Sequence, residues 1–500
     1  MVKKSTGLFS GFYNNLHQSI VVNKFDGILG YSAIIILALI LGYQIAGNYL
    51  IGGIIVGIFI SLIFVFICYT NPWNGFVVIF LFSFFGFHLA RLFFSLGINI
   101  PTGLISDFLI YATFLGLFKG NVSLKDRVND FTKNSVIVYL LIIYGYFAIQ
   151  VFNPNAFSFD GWFQGFRKIL STLFLLFISF NVFDSVAKIK KYVRLFFISA
   201  FLVGLYGCIQ EWFGLFDFEI DWLYSDPHGV GLAFIDGDFR KFSTMSDPAA
   251  FSISMAASGV FFLIILTGIK KKHLIFITVL GISLMLTGMS YSGTRTANVM
   301  VVAGIILYIL LTINQRSTWI FTLVMSFVFI VLMYGPFYNP TIARFRTTFS
   351  FQEDPSYNVR EMNRKSIQFY IHSHPIGGGI GTTGGTGKTY HPGHRLAGFQ
   401  PDNGYLKKAL EIGPIGLINY LVFYFLILMV GINGFFSSKD VVNKILFSAS
   451  ICTLYCLFIG EYAQKALGQI SDMVIFYPII AIMIRLRKYE SIDEITKSYI

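Results

Sequence analysis

The chain has 500 residues, of which 55% are hydrophobic and only 12% are charged, and its mean hydropathy is +0.69. Because a soluble protein carries roughly 25% charged residues, this composition excludes an ordinary soluble enzyme and indicates an integral membrane protein. The net charge of +12 does not indicate nucleic-acid binding, since the basic residues follow the short loops between apolar segments.

Apolar runs of about 20 residues, the length that spans a bilayer, recur along the whole chain. Fourteen runs qualify, the fourth and sixth being short: 28–47, 49–69, 75–97, 103–118, 135–152, 168–183, 195–213, 248–268, 273–290, 296–313, 318–336, 413–434, 443–462 and 467–485. They predict an all-α integral membrane protein with about 14 (12–14) transmembrane helices. Residues 1–500 are expected to form a single polytopic membrane domain.

Basic residues predict which side of the membrane each loop faces. If the N-terminus is cytoplasmic and the spans alternate, every short basic loop falls inside, as the positive-inside rule requires. The residues that make this pattern are Lys119, Lys125, Arg127, Lys133, Lys188, Lys190, Lys191, Arg194, Lys270, Lys271, Lys272, Arg316, Lys439, Lys444, Arg485, Arg487 and Lys488. Both termini are therefore expected in the cytoplasm.

Two long segments fall on the extracytoplasmic side, 214–247 and, between spans 11 and 12, 337–412. We call these two segments the cap. Loops longer than about 12–15 residues are usually functional or disordered. The larger segment has more basic than acidic residues, although positive charge is normally depleted on this side. The excess predicts an anion site, because the arginine fork matches phosphate oxygens.

A glycine-rich stretch in the cap, HPIGGGIGTTGGTGKT at 374–389, looks like a phosphate-binding loop. The nucleotide-binding pattern G-x-x-x-x-G-K-[ST] requires a glycine at position 382, where this chain has threonine. The match to G-x-G-x-x-G at 379–384 lacks the necessary strand and helix. Two interpretations remain: a flexible outer loop, or a glycine turn that lets the backbone approach a ligand closely.

The arginines at the predicted outer membrane edge differ in how strongly the sequence indicates a functional role. Arg295 lies between two apolar spans among small residues, where an ionisable side chain usually faces a polar cavity or a partner. Arg240 precedes the eighth span and could instead be an ordinary loop charge. Three further arginines of the cap are expected to be solvated charges or lipid-headgroup contacts: Arg344, Arg346 and Arg364.

Half of the eight histidines lie close together in the cap: His372, His374, His391 and His394. The sequence has no His-x-x-x-His pair on a predicted helix and no accompanying Cys or Asp group, so these histidines do not indicate a metal site. No cofactor is expected. The four cysteines lie in apolar runs without zinc or disulfide spacing, so they are expected to pack as small apolar residues. Residues 405–410 predict a short amphipathic helix, for which Asp402 is a candidate N-cap.

Four motifs resemble, in the same order, those of the O-antigen ligase/polymerase superfamily of membrane glycosyltransferases. The first two are Arg240 with FSTMSDP at 242–248, and SGTRTA at 292–297. The others are Arg360 followed by HPIGGGIG at 374–381, and DNGYL at 402–406 followed by EIGPIG at 411–416. The resemblance covers about half of the chain, roughly 190–440, and implies a GT-C-like fold.

This resemblance implies a protein of the bacterial plasma (inner) membrane. On the outer face of that membrane it would transfer a glycan from undecaprenyl diphosphate to an acceptor hydroxyl, with inversion of the anomeric carbon. It implies that Arg240 and Arg295 are essential and neutralise the diphosphate leaving group. It also implies binding of the diphosphate or glycan by residues of the third and fourth motifs: Arg360, His374, Gly377, Gly379, Gly381, Asn403 and Tyr405.

The chain departs from the ligases at Asp402, where they have histidine. A carboxylate with an ordinary pKa of about 4 is a weak base unless it is desolvated. The base is therefore expected to be Asp402 or a nearby histidine (His391, His394 or His374), unless deprotonation matters little. The missing histidine favours a polymerase of undecaprenyl-diphosphate-linked repeat units over a ligase to lipid A core.

A transporter or flippase is a further alternative, which the lack of internal repeats disfavours. The expected partners are the undecaprenyl-diphosphate-linked oligosaccharide, the lipid bilayer, and a chain-length regulator or flippase. No nucleic-acid partner is expected.

Overall fold

The structure is a computed structural model that describes residues 49–119, 122–225, 230–231, 233–235, 237–337, 339–349, 355–401 and 403–498, with scattered positions between 32 and 47. The first predicted span, 28–47, lies largely outside the described residues, as does Asp402. Arg360 lies in a described helix, but its side chain also falls outside the description.

Helices make up nearly all of the described chain. In order they are α1 (Tyr49–Thr70), α2 (Pro72–Ser95), α3 (Thr102–Gly116), α4 (Leu124–Thr132), α5 (Ser135–Ile149), α6 (Phe159–Val182), α7 (Val186–Phe213), α8 (Asp217–Tyr224), α9 (Pro248–Leu266), α10 (Lys272–Tyr291), α11 (Arg295–Thr312), α12 (Arg316–Tyr334), α13 (Pro340–Thr347), α14 (Pro355–Ser373), α15 (Gly384–Tyr390), α16 (Gly404–Glu411), α17 (Gly413–Ser437), α18 (Val441–Ala463) and α19 (Ile470–Ser498). A two-stranded hairpin, β1 (Phe234–Ile235) and β2 (Asp238–Phe239), pairs Phe234 with Phe239.

Eleven helices of the described chain are long and apolar enough to cross a membrane: α2, α3, α5, α6, α7, α9, α10, α11, α12, α17 and α18. Helices α3 and α5 reach this length through the 3-10 turns Leu117–Lys119 and Gln150–Phe152. Every predicted span after the first coincides with one of these helices, with α1 or with α19. The prediction of an all-α integral membrane protein is therefore confirmed.

Two spans begin nine residues earlier than the apolar runs predicted. Helix α6 begins at Phe159 rather than 168, and α7 begins at Val186 rather than 195. The added turns contain polar and basic residues, such as Arg167 and Lys191. Hydropathy marks only the part of a helix that lies in hydrocarbon, so it misses polar turns that extend beyond it.

Helix α9 forms the centre of the bundle, because 78% of its apolar segment is buried within the protein, against 6% for α12. It packs against α10, α11 and α18. Its sequence is rich in alanine, serine and glycine, and small residues allow helices in membranes to approach closely. The exposed face of α12 is left for lipid.

The two ends of the bundle differ in chemistry. At the basic end, the Lys488 ammonium and the Arg485 guanidinium donate to Asp130 of α4 at 2.6 and 3.1 Å. At the opposite end, which we call the cap end, the described parts of the cap pack on the helix termini. The cap has its own small core, formed by Ile367, Tyr370, Leu396, Leu406 and Leu410.

Candidate active site

Arg240 leaves the hairpin directly after β2 and reaches across to the turn between α10 and α11. Its Nε donates to the carbonyl of Ser292 at 2.7 Å, and its Nη2 donates to the Thr294 hydroxyl, also at 2.7 Å. The next residue of that turn, Arg295, is half-buried and begins α11. The structure therefore brings the first two motifs together, although 55 positions separate the two arginines.

A third arginine reaches the same turn. Gly293 has φ of +66°, and a Cβ at this position would lie 2.6 Å from Nη1 of Arg344 and 3.6 Å from Nε of Arg240. Arg344 comes from α13 and is half-buried. The Arg344 guanidinium therefore lies near that of Arg240 rather than in an open loop, and its expected contact with a lipid headgroup stays a prediction. A glycine at 293 leaves the space that both side chains use.

Burial and two charged neighbours act on the Arg240 guanidinium. Burial is the main cause that lowers the pKa of Arg240, to about 10; the neighbouring Asp247 carboxylate opposes this shift and the Arg344 guanidinium adds to it. Asp247 is the N-cap of α9, accepting from the backbone N–H groups of Ala249 and Ala250 at 2.9 Å each. Its other oxygen accepts from Gln469 at 3.2 Å. The carboxylate thus holds the beginning of α9 and the connection before α19.

The fourth motif begins α16. The N-cap is Asn403, whose side-chain oxygen accepts from the N–H of Leu406 at 2.6 Å, so the assignment of this cap to Asp402 is wrong. Gly404 lies against Glu461 of α18, and a Cβ there would overlap the Oε1 atom of that carboxylate. The Tyr405 hydroxyl donates to the carbonyl of Phe458 at 2.8 Å. The motif is therefore seated on the end of α18.

Helices α11 and α18 bring the arginines and the fourth motif to the same end. A Cβ on Gly460 of α18 would lie 2.7 Å from the sulfur of Met300 in α11. At 1.5 Å per residue, Arg295 lies about 7.5 Å from Met300 along α11, toward the cap end. Gln464 lies about 6 Å from Gly460 along α18, also toward the cap end. The Gln464 carbonyl accepts from the N–H of Gly404 at 3.2 Å.

The glycine-rich turn of the third motif packs against the chain itself. The N–H groups of Gly378 and Gly379 donate to the carbonyls of Leu410 and Glu411 at 2.8 and 2.9 Å. Gly377, Gly379 and Gly381 have φ of +77°, +101° and +79°, a region that favours glycine.

Close backbone contacts also account for these glycines. A Cβ on Gly377 would meet the backbone of Glu411, and one on Gly379 would lie 2.6 Å from the Cβ of Ala156. Their contacts therefore support α16, and the predicted role of Gly377, Gly379 and Gly381 in binding a ligand stays a prediction.

Two histidines of the cap are buried. The Nδ1 atom of His391 accepts from the N–H of Phe157 at 3.2 Å, and that of His394 accepts from the N–H of Leu396 at 3.1 Å. The Nε2 atom of His391 is buried against Gly161, without a hydrogen-bond partner. Burial lowers the pKa of both imidazoles. Because each Nδ1 already accepts a backbone N–H, this geometry does not suit a general base.

His374 is half-buried and stacks on Tyr370, with 3.9 Å between the ring centroids. Its Nδ1 lies 2.9 Å from the Ser373 hydroxyl and 3.0 Å from the Tyr370 carbonyl. Among the described residues, no group of three or more His, Cys, Asp or Glu side chains is arranged to hold a metal ion.

Sequence reasoning missed two buried charges that support the site. Arg91 in α2 is 1% exposed and Glu461 in α18 is 2% exposed. Each interrupts an apolar run, and an ionisable residue inside a span is itself a signal of function. Arg344 had no such signal, since it is one of several arginines in a polar segment.

Residues 280–421 match the model of the O-antigen ligase family. The match begins in α10, ends in α17, and contains the second, third and fourth motifs but not Arg240. Comparison with curated proteins gives no match. The matched segment lies within a bundle of membrane-spanning helices and contains Arg295 and Arg344. The segment 280–421 of this polytopic membrane protein is therefore similar to the O-antigen ligase family, which supports the O-antigen ligase/polymerase superfamily.

Proposed function

We propose that the protein polymerises undecaprenyl-diphosphate-linked oligosaccharide repeat units of a cell-surface polysaccharide (O-antigen, capsule or exopolysaccharide). The reaction is an inverting glycosyl transfer on the outer face of the plasma membrane. The observation that carries this proposal is the meeting of Arg240 and Arg344 at the turn that leads into Arg295 and α11.

Electrostatics favour an anion at this turn. The Arg240 and Arg344 guanidiniums lie near one another at this half-buried turn, and a guanidinium fork matches the oxygens of a phosphate group. The positive end of the α11 dipole adds to the attraction for phosphate. Asp247 is the acidic residue described beside Arg240, and its oxygens also accept from the N-terminus of α9 and from Gln469. A lipid diphosphate carries the charge that these arginines attract and fits the arginine fork.

The proposed chemistry is a single displacement. The acceptor hydroxyl oxygen attacks the anomeric carbon, the bond from that carbon to the diphosphate oxygen breaks, and the electron pair leaves with undecaprenyl diphosphate. Arg240, Arg295 and Arg344 stabilise the charge that develops on the leaving group. The hydroxyl proton passes to a general base. Inversion follows because attack and departure take place on opposite faces of the carbon.

Asp402 is the base in this proposal. His391 and His394 use their Nδ1 atoms to hold the cap backbone, whereas Asp402 directly precedes Asn403, which seats α16 at the same end as the arginines. A bound lipid-linked glycan would displace water here, and desolvation raises the pKa of a carboxyl toward the range of an effective base. The proposal also includes a chain-length regulator or flippase as a protein partner.

Ligation of a finished glycan to lipid A core or another acceptor is the second candidate, favoured by the description of the matched family. The test gives purified protein a synthetic lipid-linked repeat unit in detergent, with and without lipid A core. A ladder of lengthening lipid-linked products from the donor alone supports the polymerase. A single transfer that requires lipid A core supports the ligase. If neither mixture shows transfer, and the reconstituted protein instead moves the lipid-linked donor across the vesicle bilayer, the polymerase and the ligase are both overturned.

A further inference from the structure

Arg91 is a fully buried charge at the cap end of α2. Its side chain is 1% exposed and lies between two aromatic rings, with its guanidinium carbon 4.7 Å from the centre of Trp222 and 4.3 Å from that of Phe242. The contact with Trp222 joins α2 to α8 of the cap. A guanidinium stacks on aromatic faces in a way that a lysine ammonium cannot reproduce.

The Arg91 fork binds the backbone just after Arg240. Its Nη1 donates to the carbonyl of Ser243 at 2.9 Å, and its Nη2 donates to the carbonyl of Met245. Two donors in a rigid plane thereby fix two carbonyls of one short segment. We call residues 242–246 the linker, because they connect Arg240 and Lys241 to Asp247.

The linker adopts a conformation that needs outside support. Ser243 has φ of +51°, and it is the one non-glycine residue with positive φ in the part of the chain that the structure describes. A non-glycine residue keeps a positive φ only where contacts with the surrounding structure stabilise that conformation. Here the Ser243 N–H donates to Gln210 at 2.7 Å, and its hydroxyl donates to the Val203 carbonyl at 2.7 Å. The Thr244 hydroxyl donates to the Phe84 carbonyl at 2.6 Å.

We propose that Arg91 is a positioning residue for glycan transfer. By holding the linker in its strained form, it sets where Arg240 enters the turn at Ser292–Thr294. Arg91 is too buried to touch substrate, so it acts through Arg240. The inference rests on the proposed function, in which Arg240 stabilises the diphosphate leaving group.

The experiment is a double-mutant cycle on turnover of the lipid-linked donor. Arg91→Lys is compared with the parent protein, and the same change is made in an Arg240→Gln background. Because a misplacement of about 1 Å can cost on the order of 100-fold in rate, we expect Arg91→Lys to lower kcat/KM by 10- to 100-fold in the parent. In the Arg240→Gln background we expect less than a twofold further loss.

A matched control exists at the other end of the bundle. Arg485 is also buried, donates to a backbone carbonyl (Phe180, 2.7 Å) and stacks on an aromatic ring at 3.7 Å. Arg485→Lys should therefore carry a similar folding penalty, read as a similar shift in thermal midpoint, with turnover within twofold of the parent.

The outcomes distinguish the proposed function from the positioning role. Normal turnover of Arg240→Gln would overturn the proposed function. If Arg240→Gln lowers turnover but Arg91→Lys lowers it no more than Arg485→Lys does, the positioning role alone is overturned. The positioning role is also overturned if Arg91→Lys lowers turnover equally in the parent and in the Arg240→Gln background. If Arg91→Lys does not fold, Trp222→Leu, which loosens the guanidinium from the cap side, replaces it in the same cycle under the same criteria.

Discussion

Gly404→Ala tests how the fourth motif is seated. Gly404 begins α16, and a Cβ at this position would overlap the Oε1 atom of Glu461. That carboxylate cannot swing away at little cost, because Oε1 accepts from Lys408 and Oε2 accepts from the N–H of Leu467 at 2.9 Å. At 2% exposure, water cannot replace either bond.

The magnitude follows from these contacts. Forcing a methyl group into a packed site costs about 1–3 kcal/mol, and the chain can relieve the overlap by moving α16 and Asn403 outward. Because Asp402 and Asn403 directly precede this glycine, a shift of about 1 Å in the motif is expected to lower turnover on the order of 100-fold. Stability should fall by a few degrees in thermal midpoint.

The assay measures product ladders and thermal unfolding of Gly404→Ala beside Gly385→Ala. Gly385 lies in the cap on helix α15 and is exposed, and a Cβ added to it would have no heavy atom within 4 Å. Gly385→Ala should therefore match the parent in both measurements. If Gly404→Ala also matches the parent, the seating of the motif on Glu461 does not control the chemistry.

Three further outcomes are expected. Arg295→Ala should lower transfer by about 10²–10³-fold, as loss of a charge-stabilising donor does, while Arg316→Ala, at the first residue of α12, should not; equal losses would contradict the anion site. Asp402→Asn should lower turnover by about 10²–10⁴-fold without weakening donor binding, whereas an unchanged rate would exclude this base. Because burial lowers the pKa of His391 and His394, their contribution to stability is complete above the ordinary pKa of about 6.5 and is lost as pH falls below it. The thermal midpoint measured from about pH 8 to 5 should show that loss. The change in midpoint over this range should be smaller in the double variant His391→Asn, His394→Asn.

The spans could be predicted from sequence because hydropathy is a local property. A bilayer requires about 20 apolar residues per helix, and each run reports its own environment without reference to its neighbours. The same reasoning located Arg295, since a charge at the edge of an apolar run is conspicuous. Polar helical turns, such as the first turns of α6 and α7, lie outside this signal and were missed.

Motif order pointed to the family but not to the arrangement of the site. Nothing in the sequence of the glycine-rich turn shows that its N–H groups donate to Leu410 and Glu411. The N-cap residue of α16 is Asn403 rather than Asp402. Both residue types make good N-caps, and only the path of the backbone selects between them.

By itself, the sequence determined the apolar helices and the residue types in the segments between them, both of which follow from local composition. The tertiary structure alone decided which distant charges meet: Arg240 with Arg344 at Gly293, and Arg91 with the carbonyls of Ser243 and Met245. These contacts depend on how helices far apart in the chain pack side by side. Packing of this kind is set by the shapes of whole helix faces, which no short pattern records.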